Sequence, residues 1–198
     1  KTLKQNNKFA FVFNTYGCIS GKTLKILDKW VITKGFKVIT GHSLHTPESY
    51  PPMIVEGKNY EQSPNEKEMN NFNNFISELD QLFYFFKEGK QIKKKKISIS
   101  LFNQLLPMFS RTKARKDMGE KYIDTALCTE CGTCAKICPY EAIKLNPKPI
   151  FDMNKCYGCW VCYNHCPNKA IYTKKYRGVG HYSKPNSQLK EKLKINNV

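Results

Sequence analysis

Residues 128–143 read CTECGTCAKICPYEAI, and residues 156–171 read CYGCWVCYNHCPNKAI. Laid over one another at a constant offset of 28 residues, every cysteine, the proline after the fourth and the closing Ala-Ile coincide. No other feature restricts the fold so strongly. Eight of the nine cysteines sit in these two runs. Their neighbours are too close for an orderly disulfide framework, so the pattern points to metal binding.

Each run is C-x2-C-x2-C-x3-C-P. A cubane iron–sulfur cluster offers four iron corners, and a tight loop can wrap three of them. In the first run Gly132, Thr133 and Ala135 lie between the cysteines, small enough for backbone amides to approach the cluster sulfurs. The proline after the fourth cysteine starts a helical turn and directs that thiolate away from the first three. This is the spacing of a bacterial-type two-cluster ferredoxin, in which the fourth cysteine ligates the other cluster. The expected ligand sets are Cys128, Cys131, Cys134 and Cys166 for one [4Fe-4S] cluster, and Cys156, Cys159, Cys162 and Cys138 for the other. Zinc also takes four thiolates, but zinc ribbons bring two C-x2-C pairs together from separate loops. That reading explains neither the third cysteine nor the proline. Between the runs, AIKLNPKPIFD predicts a hairpin turning at Asn146-Pro147-Lys148, with AIYTKK as its counterpart after Cys166. Tyr157, Trp160 and Tyr163 flank the second set of ligands, as core and as a shield against water.

Ahead of the cysteines, KFAFVFNT (residues 8–15) is a nearly continuous apolar run, as in a parallel strand buried on both faces. Leu24, Leu27, Trp30 and Val31 then recur at helical spacing, with Gly35 as a C-terminal stop. Residues 36–44 read as a second strand, which completes a βαβ unit. A helix over 64–88 follows, with Ser63 as N-cap, Pro64 at the first position and Glu66 closing a capping box. Its stripe of Met69, Phe72, Phe75, Ile76, Leu79, Leu82, Phe83 and Phe86 reads as core. The run KQIKKKK reads as a solvated linker. Residues 97–109 read as a short helix docking one module on the other, or as an interfacial membrane helix with basic flanks. The expected organisation is an α/β segment at 1–89, a basic linker with a short helix at 90–117, the cluster domain at 118–182 and a polar basic tail at 183–198.

This order resembles the bacterial fused flavodoxin–ferredoxin proteins, the EFR-type ferrodoxins. The stretch FVFNTYGCISGKTLKILDKWVITKGFKVITGHSLHTPESYPPM is similar to a late flavodoxin strand, a TYGG flavin loop, the next helix and strand, and a P-x-N-Y segment. KPIFDMNKCYGCWVCYNHCPNKAI and RGVGHYSKP are similar to the ferredoxin end. The fold class implied is α+β, a two-cluster ferredoxin-type module preceded by a partial flavodoxin-like α/β segment. The resemblance also implies that Thr15, Tyr16 and Gly17 line the isoalloxazine side of an FMN site. Cys18 departs from it where a second glycine would stand, and Glu48-Ser49-Tyr50 departs from the proline-asparagine-tyrosine pattern. The early strand and the Ser/Thr/Gly-rich phosphate loop are not in the stretch present, which resembles the later part of that architecture. Without a phosphate loop, this chain alone is not expected to hold FMN.

The formal charge is +17, and its position matters. Residues 1–117 carry 20 Lys+Arg against 10 Asp+Glu, residues 118–172 carry 6 against 5, and residues 173–198 carry 7 against 1. The cysteine region is nearly neutral, and each oxidised cubane with its four thiolates adds about −2. The basic charge sits on the flanks. It suits an acidic redox protein or flavoenzyme as partner better than nucleic acid, since the flanks lack a recognised binding fold and stacking aromatics. No paired carboxylates, nucleophile triad or complete nucleotide loop indicates substrate chemistry. His42, His45 and His181 show no ligand spacing, and Cys18 reads as a buried, inert thiol. The apolar run FAFVF is too short for a signal peptide, and no segment approaches the roughly 18 apolar residues of a membrane span. These features suit a cytoplasmic electron-transfer protein.

Overall fold

The computed structural model describes residues 8–107, 110–182 and 187–193. In chain order the elements are β1 (Phe9–Tyr16), α1 (Thr23–Thr33), β2 (Lys37–His45), α2 (Pro51–Val55), α3 (Glu66–Lys87), α4 (Leu101–Leu105), α5 (Arg111–Met118), β3 (Lys121–Ile123), α6 (Thr133–Lys136), β4 (Ile143–Asn146), β5 (Lys148–Phe151), α7 (Val161–Asn164), β6 (Ile171–Thr173) and α8 (Ser187–Lys192). They fall into two compact units that interleave along the sequence. One comprises residues 8–47, the stretch from Tyr60 through 107, and 187–193; the other comprises Glu48–Asn59 and 110–182. The tail residues 183–186 and 194–198 lie outside the described residues.

In the first unit β1 and β2 pair in parallel, with an irregularity between Ala10 and Phe11. Alternation sends Val12 to one face, where it is buried with Leu24 and Val38 against Leu27 and Val31 of α1. Trp30 stays half exposed, with the Lys34 ammonium over its ring. Phe9, Phe11 and Phe13 go to the other face and meet α3 through the pairs Phe9–Phe86, Phe11–Phe75 and Phe13–Phe72, at 5.9–6.0 Å between centroids.

The capping box of α3 is real but lies two residues later than the sequence suggests. Asn65 is the N-cap and accepts from the Glu68 backbone, while the Glu68 carboxylate accepts from Asn65 N–H at 2.7 Å. Ser63 and Pro64 stay outside the helix: the Ser63 hydroxyl is engaged with His45 Nδ1 at 3.2 Å, which leaves the cap to Asn65. Of the predicted stripe only Phe75 and Leu82 are buried; Ile76, Phe83 and Phe86 are exposed. A two-stranded sheet is narrower than a helix of 22 residues, so the stripe runs past the surface available to cover it. An open apolar groove of about 640 Å³ results, lined by Phe9, Phe11, Leu79, Leu82, Phe83 and Phe86.

The run 90–107 is not a free linker. Lys94 and Lys95 form ion pairs with Asp28 and Glu78, Lys95 N–H donates to Ile39 O, and Ile97 and Ile99 pack on the α1 side of the sheet. The short α4 exposes Leu101, Phe102 and Leu105. In α8, Leu189 is buried and the Lys192 ammonium donates to Gln62 O and Pro64 O. The end of the chain is therefore not a free tail over the described residues.

The second unit is built twice from one pattern. The repeat β3–α6–β4 recurs as β5–α7–β6 at the 28-residue offset, and the strands pair across repeats: β3 with β6 and β4 with β5, both antiparallel. The register Asn146↔Lys148 puts the hairpin turn at Pro147, as predicted. The positive-φ residues repeat too, as Glu130/Gly158, Gly132/Trp160 and Glu141/Lys169. Around them Met118, Trp160, Tyr163 and Ile171 form a sealed core. Trp160 meets Tyr50, Tyr163 and Tyr176 edge-on, and Tyr163 stacks on His181 at 4.1 Å. His181 is thus part of this packing. The Glu48-Ser49-Tyr50 stretch belongs to this unit: Ser49 O accepts from Asn164 Nδ2, and Pro51 is fully buried.

Candidate metal centre

Each cysteine run folds as a loop followed by one helical turn. Gly132 and Trp160 are the N-caps of α6 and α7, and both adopt left-handed backbone. That reversal lets three closely spaced cysteines face one centre, and a Cβ at position 132 would meet Leu145 Cδ1 at 3.3 Å. After the fourth cysteine the chain turns again, and a backbone amide donates back to its sulfur. Ala142 N–H donates to Cys138 Sγ at 3.4 Å, and Ala170 N–H to Cys166 Sγ at 3.2 Å.

The eight cysteines line two small cavities, and they do so crosswise. One is lined by Cys128, Cys131, Cys134 and Cys166, together with Thr129, Pro149 and Asn168. The other is lined by Cys156, Cys159, Cys162 and Cys138, together with Lys121, Tyr140 and Tyr157. Among the described residues no three Cys, His, Asp or Glu side chains converge closely enough to hold a single metal ion. Thiolates around one zinc would stand about 3.8 Å apart, given its tetrahedral Zn–S bonds. Four thiolates spread round a cavity, with amides aimed at sulfur, fit a cluster.

The cavities differ in chemistry. At the first, Thr133 holds the exposed Cys131 thiol below its ordinary value by hydrogen bonds from its hydroxyl and its backbone. Burial raises Cys134. At the second, burial pushes Cys162 up to about 11 despite the nearby Lys121. The Lys121 ammonium, on a residue only 8% exposed, donates to Cys156 Sγ at 3.0 Å. Burial opposes its charge, but the thiolates of Cys162, Cys156 and Cys159 outweigh this and hold it above its ordinary value. Trp160 and Tyr163 are sealed, whereas Tyr157 is half open and stacks on Tyr140 at 4.8 Å. His165 bonds through Nδ1 to Val161 O.

Sequence reasoning missed Lys121, one lysine in a strongly basic chain. Extending the 28-residue overlay backward would have set it opposite Pro149 and marked the asymmetry. Thr15, Tyr16 and Gly17, expected from the resemblance to line a flavin, follow one another at the end of β1 in the first unit. The Tyr16 ring stacks on His45 at 5.0 Å, and His45 in turn contacts Glu68 and Tyr60. Cys18 is half-buried and accepts a hydrogen bond from the Tyr60 hydroxyl.

The sequence matches the 4Fe-4S binding domain family over residues 121–144 and again over 149–172, the two repeats just described. A ferredoxin of Pyrobaculum islandicum is 41% identical over 51 residues, which is 25% of this chain and 48% of that protein. The pyruvate synthase subunit PorD of Methanocaldococcus jannaschii is 37% identical over 51 residues, 25% of this chain and 59% of that protein. The chain thus spans about half the length of the curated relatives it matches. Residues 121–172 are a ferredoxin-type iron–sulfur module for electron transfer, set in a chain of small mixed sheets and helices. No helix among the described residues is long and apolar enough to cross a membrane.

Proposed function

We propose that the protein is a one-electron carrier holding two [4Fe-4S] clusters, one on Cys128, Cys131, Cys134 and Cys166 and the other on Cys156, Cys159, Cys162 and Cys138. The observation that carries this reading is the crosswise lining of the two cavities by four cysteines each. When bound, a cubane takes up and releases single electrons with little change in shape. The chain's residues offer each cubane four thiolates, present amide donors from Ala142 and Ala170, and keep water from the Trp160 side. The exposed Cys131 and Cys159 leave one edge of each site open to a partner.

The partner in this reading is a redox protein or flavoenzyme, met in a reducing compartment where thiolates persist. The likeness to a protein named as a pyruvate synthase subunit supports a redox enzyme as partner. An acidic docking face would complement the basic flanks. The flavin is assigned to the partner, since the Tyr16 ring is already engaged by His45. Anaerobic reconstitution should give about eight irons and eight sulfides per chain. Electron paramagnetic resonance of the reduced protein should show two interacting cubanes. Stoichiometric zinc in anaerobically purified protein would overturn the proposal.

A further inference from the structure

The 28-residue correspondence allows the two cavities to be compared position by position. The strands β3 and β5 are equivalent, so Lys121 at the second cavity corresponds to Pro149 at the first. Tyr140 and Tyr157, which stack across the second, correspond to Asn168 and Thr129, which share a hydrogen bond of 3.1 Å across the first. Glu130 lines the first cavity, and its equivalent is the uncharged Gly158. The fold is the same twice, and the charge beside the thiolates is not.

We infer that Lys121 sets the reduction potential of the cluster on Cys138, Cys156, Cys159 and Cys162 above that of its partner, so that the first electron added rests there. This rests on the two-cluster reading above. Reduction adds one negative charge to a cluster, and a fixed ammonium 3.0 Å from a ligand sulfur stabilises the more negative state. The residue is buried, so solvent ions screen it little. Apolar cover from Phe151 and the tyrosines works the other way, because added charge is costly there. The rings are neutral, however, and Cys159, like Cys131 at the other site, is exposed. At the first cavity Glu130 carries a negative charge and enlarges the difference, modestly, since it is exposed.

The test is a potentiometric titration of the reconstituted full chain followed by paramagnetic resonance, after iron and sulfide analysis. Wild type should show two one-electron steps. Lys121→Met should lower the upper step by at least a tenfold change in its equilibrium constant, about 59 mV for one electron, and should move the lower step less. Lys121→Arg, which keeps the charge, should restore the upper step. Lys144→Met removes an exposed positive charge from the same module and should move neither appreciably. If Lys121→Met fails to assemble, Lys121→Gln is read in its place. Two clusters with an unmoved upper step would overturn the role of Lys121 and leave the carrier reading intact. Fewer than two clusters in wild type would overturn both, and the iron count separates the two failures.

Discussion

In the cysteine-bearing unit Trp160 and Tyr163 are sealed at 1% and 0% exposure, whereas Phe11, Phe83 and Phe86 of the other unit remain more than half exposed. The difference follows from what each unit has to close upon. The cysteine unit wraps short strands, Tyr50, Pro51 and the 176–182 segment around one aromatic centre, and its thiolates can tie the chain at eight points. The other has two parallel strands, and such sheets normally need both faces covered along their width. Its α1 face is closed by Leu24, Leu27, Val31, Ile97 and Ile99. The α3 face is only partly closed. Apolar content alone does not make a core; it must be matched by surface to cover.

The largest effect that would break this comparison comes from removing a ligand. Cys138→Ser should cost the cluster of the second run, not the first, because Cys138 lines the cavity of Cys156, Cys159 and Cys162. Iron should fall from about eight to about four per chain. Amide exchange in β5, α7 and β6 should accelerate by at least about a hundredfold, near 2.7 kcal/mol of lost protection. Exchange in β1 and β2, expected to be faster in wild type, should stay within a factor of a few. Equal acceleration in both units would show that they do not gain order separately. Loss of the first cluster instead would overturn the crosswise ligation.

How much of this was legible in the sequence divides along the same line. The cysteine spacing, the 28-residue duplication and the Pro147 turn rest on residues whose chemistry allows few alternatives, so the site and its hairpin could be read directly. The first strand was legible from its apolar run and α1 from helical spacing, but the expected burial of that strand on both faces is not met: only Val12 of β1 is buried. The extent of burial on α3 was not, because a stripe records which residues share a face, not whether anything is wide enough to cover it. The cap at Asn65 was displaced to Ser63 because both residues are good caps with a glutamate three residues on, and only the Ser63 contact with His45, remote in sequence, separates them. The packing of Ser49, Tyr50 and Pro51 in the cysteine unit was hidden because their partners, Asn164 and the aromatic cluster, lie more than a hundred residues away. Lys121 was hidden by composition.

A smaller effect sharpens the comparison at single side chains. Trp160→Ala should destabilise the cysteine unit by about 3–5 kcal/mol, the range for deleting a sealed aromatic. Phe83→Ser should change stability by less than about 0.5 kcal/mol, although the sequence places both residues among apolar neighbours. Anaerobic guanidinium unfolding would measure both, with cluster absorbance reporting one unit and far-ultraviolet dichroism the helix-rich other. A loss above about 2 kcal/mol for Phe83→Ser would mean that the α3 face is covered in solution.

The smallest effect lies in the strained backbone of the duplicated loops. Glu130 adopts left-handed backbone at φ 56°, while its equivalent at the second site is Gly158 at φ 82°. At position 158 a glycine is required by packing, because a Cβ would press on the Ala114 carbonyl at 3.2 Å. Glu130 is exposed and has room for its side chain, so it bears the steric cost of that conformation without a packing reason. Glu130→Gly removes this strain but adds freedom to the unfolded chain, and the two partly cancel. A net gain of about 0.5 kcal/mol is expected in the cysteine unit alone, read from the anaerobic guanidinium midpoint of cluster absorbance. A loss of stability would mean that the glutamate side chain makes contacts in solution outweighing its backbone strain. The gain should also come with a slightly raised potential at the first cluster, because the same change removes the acid beside it.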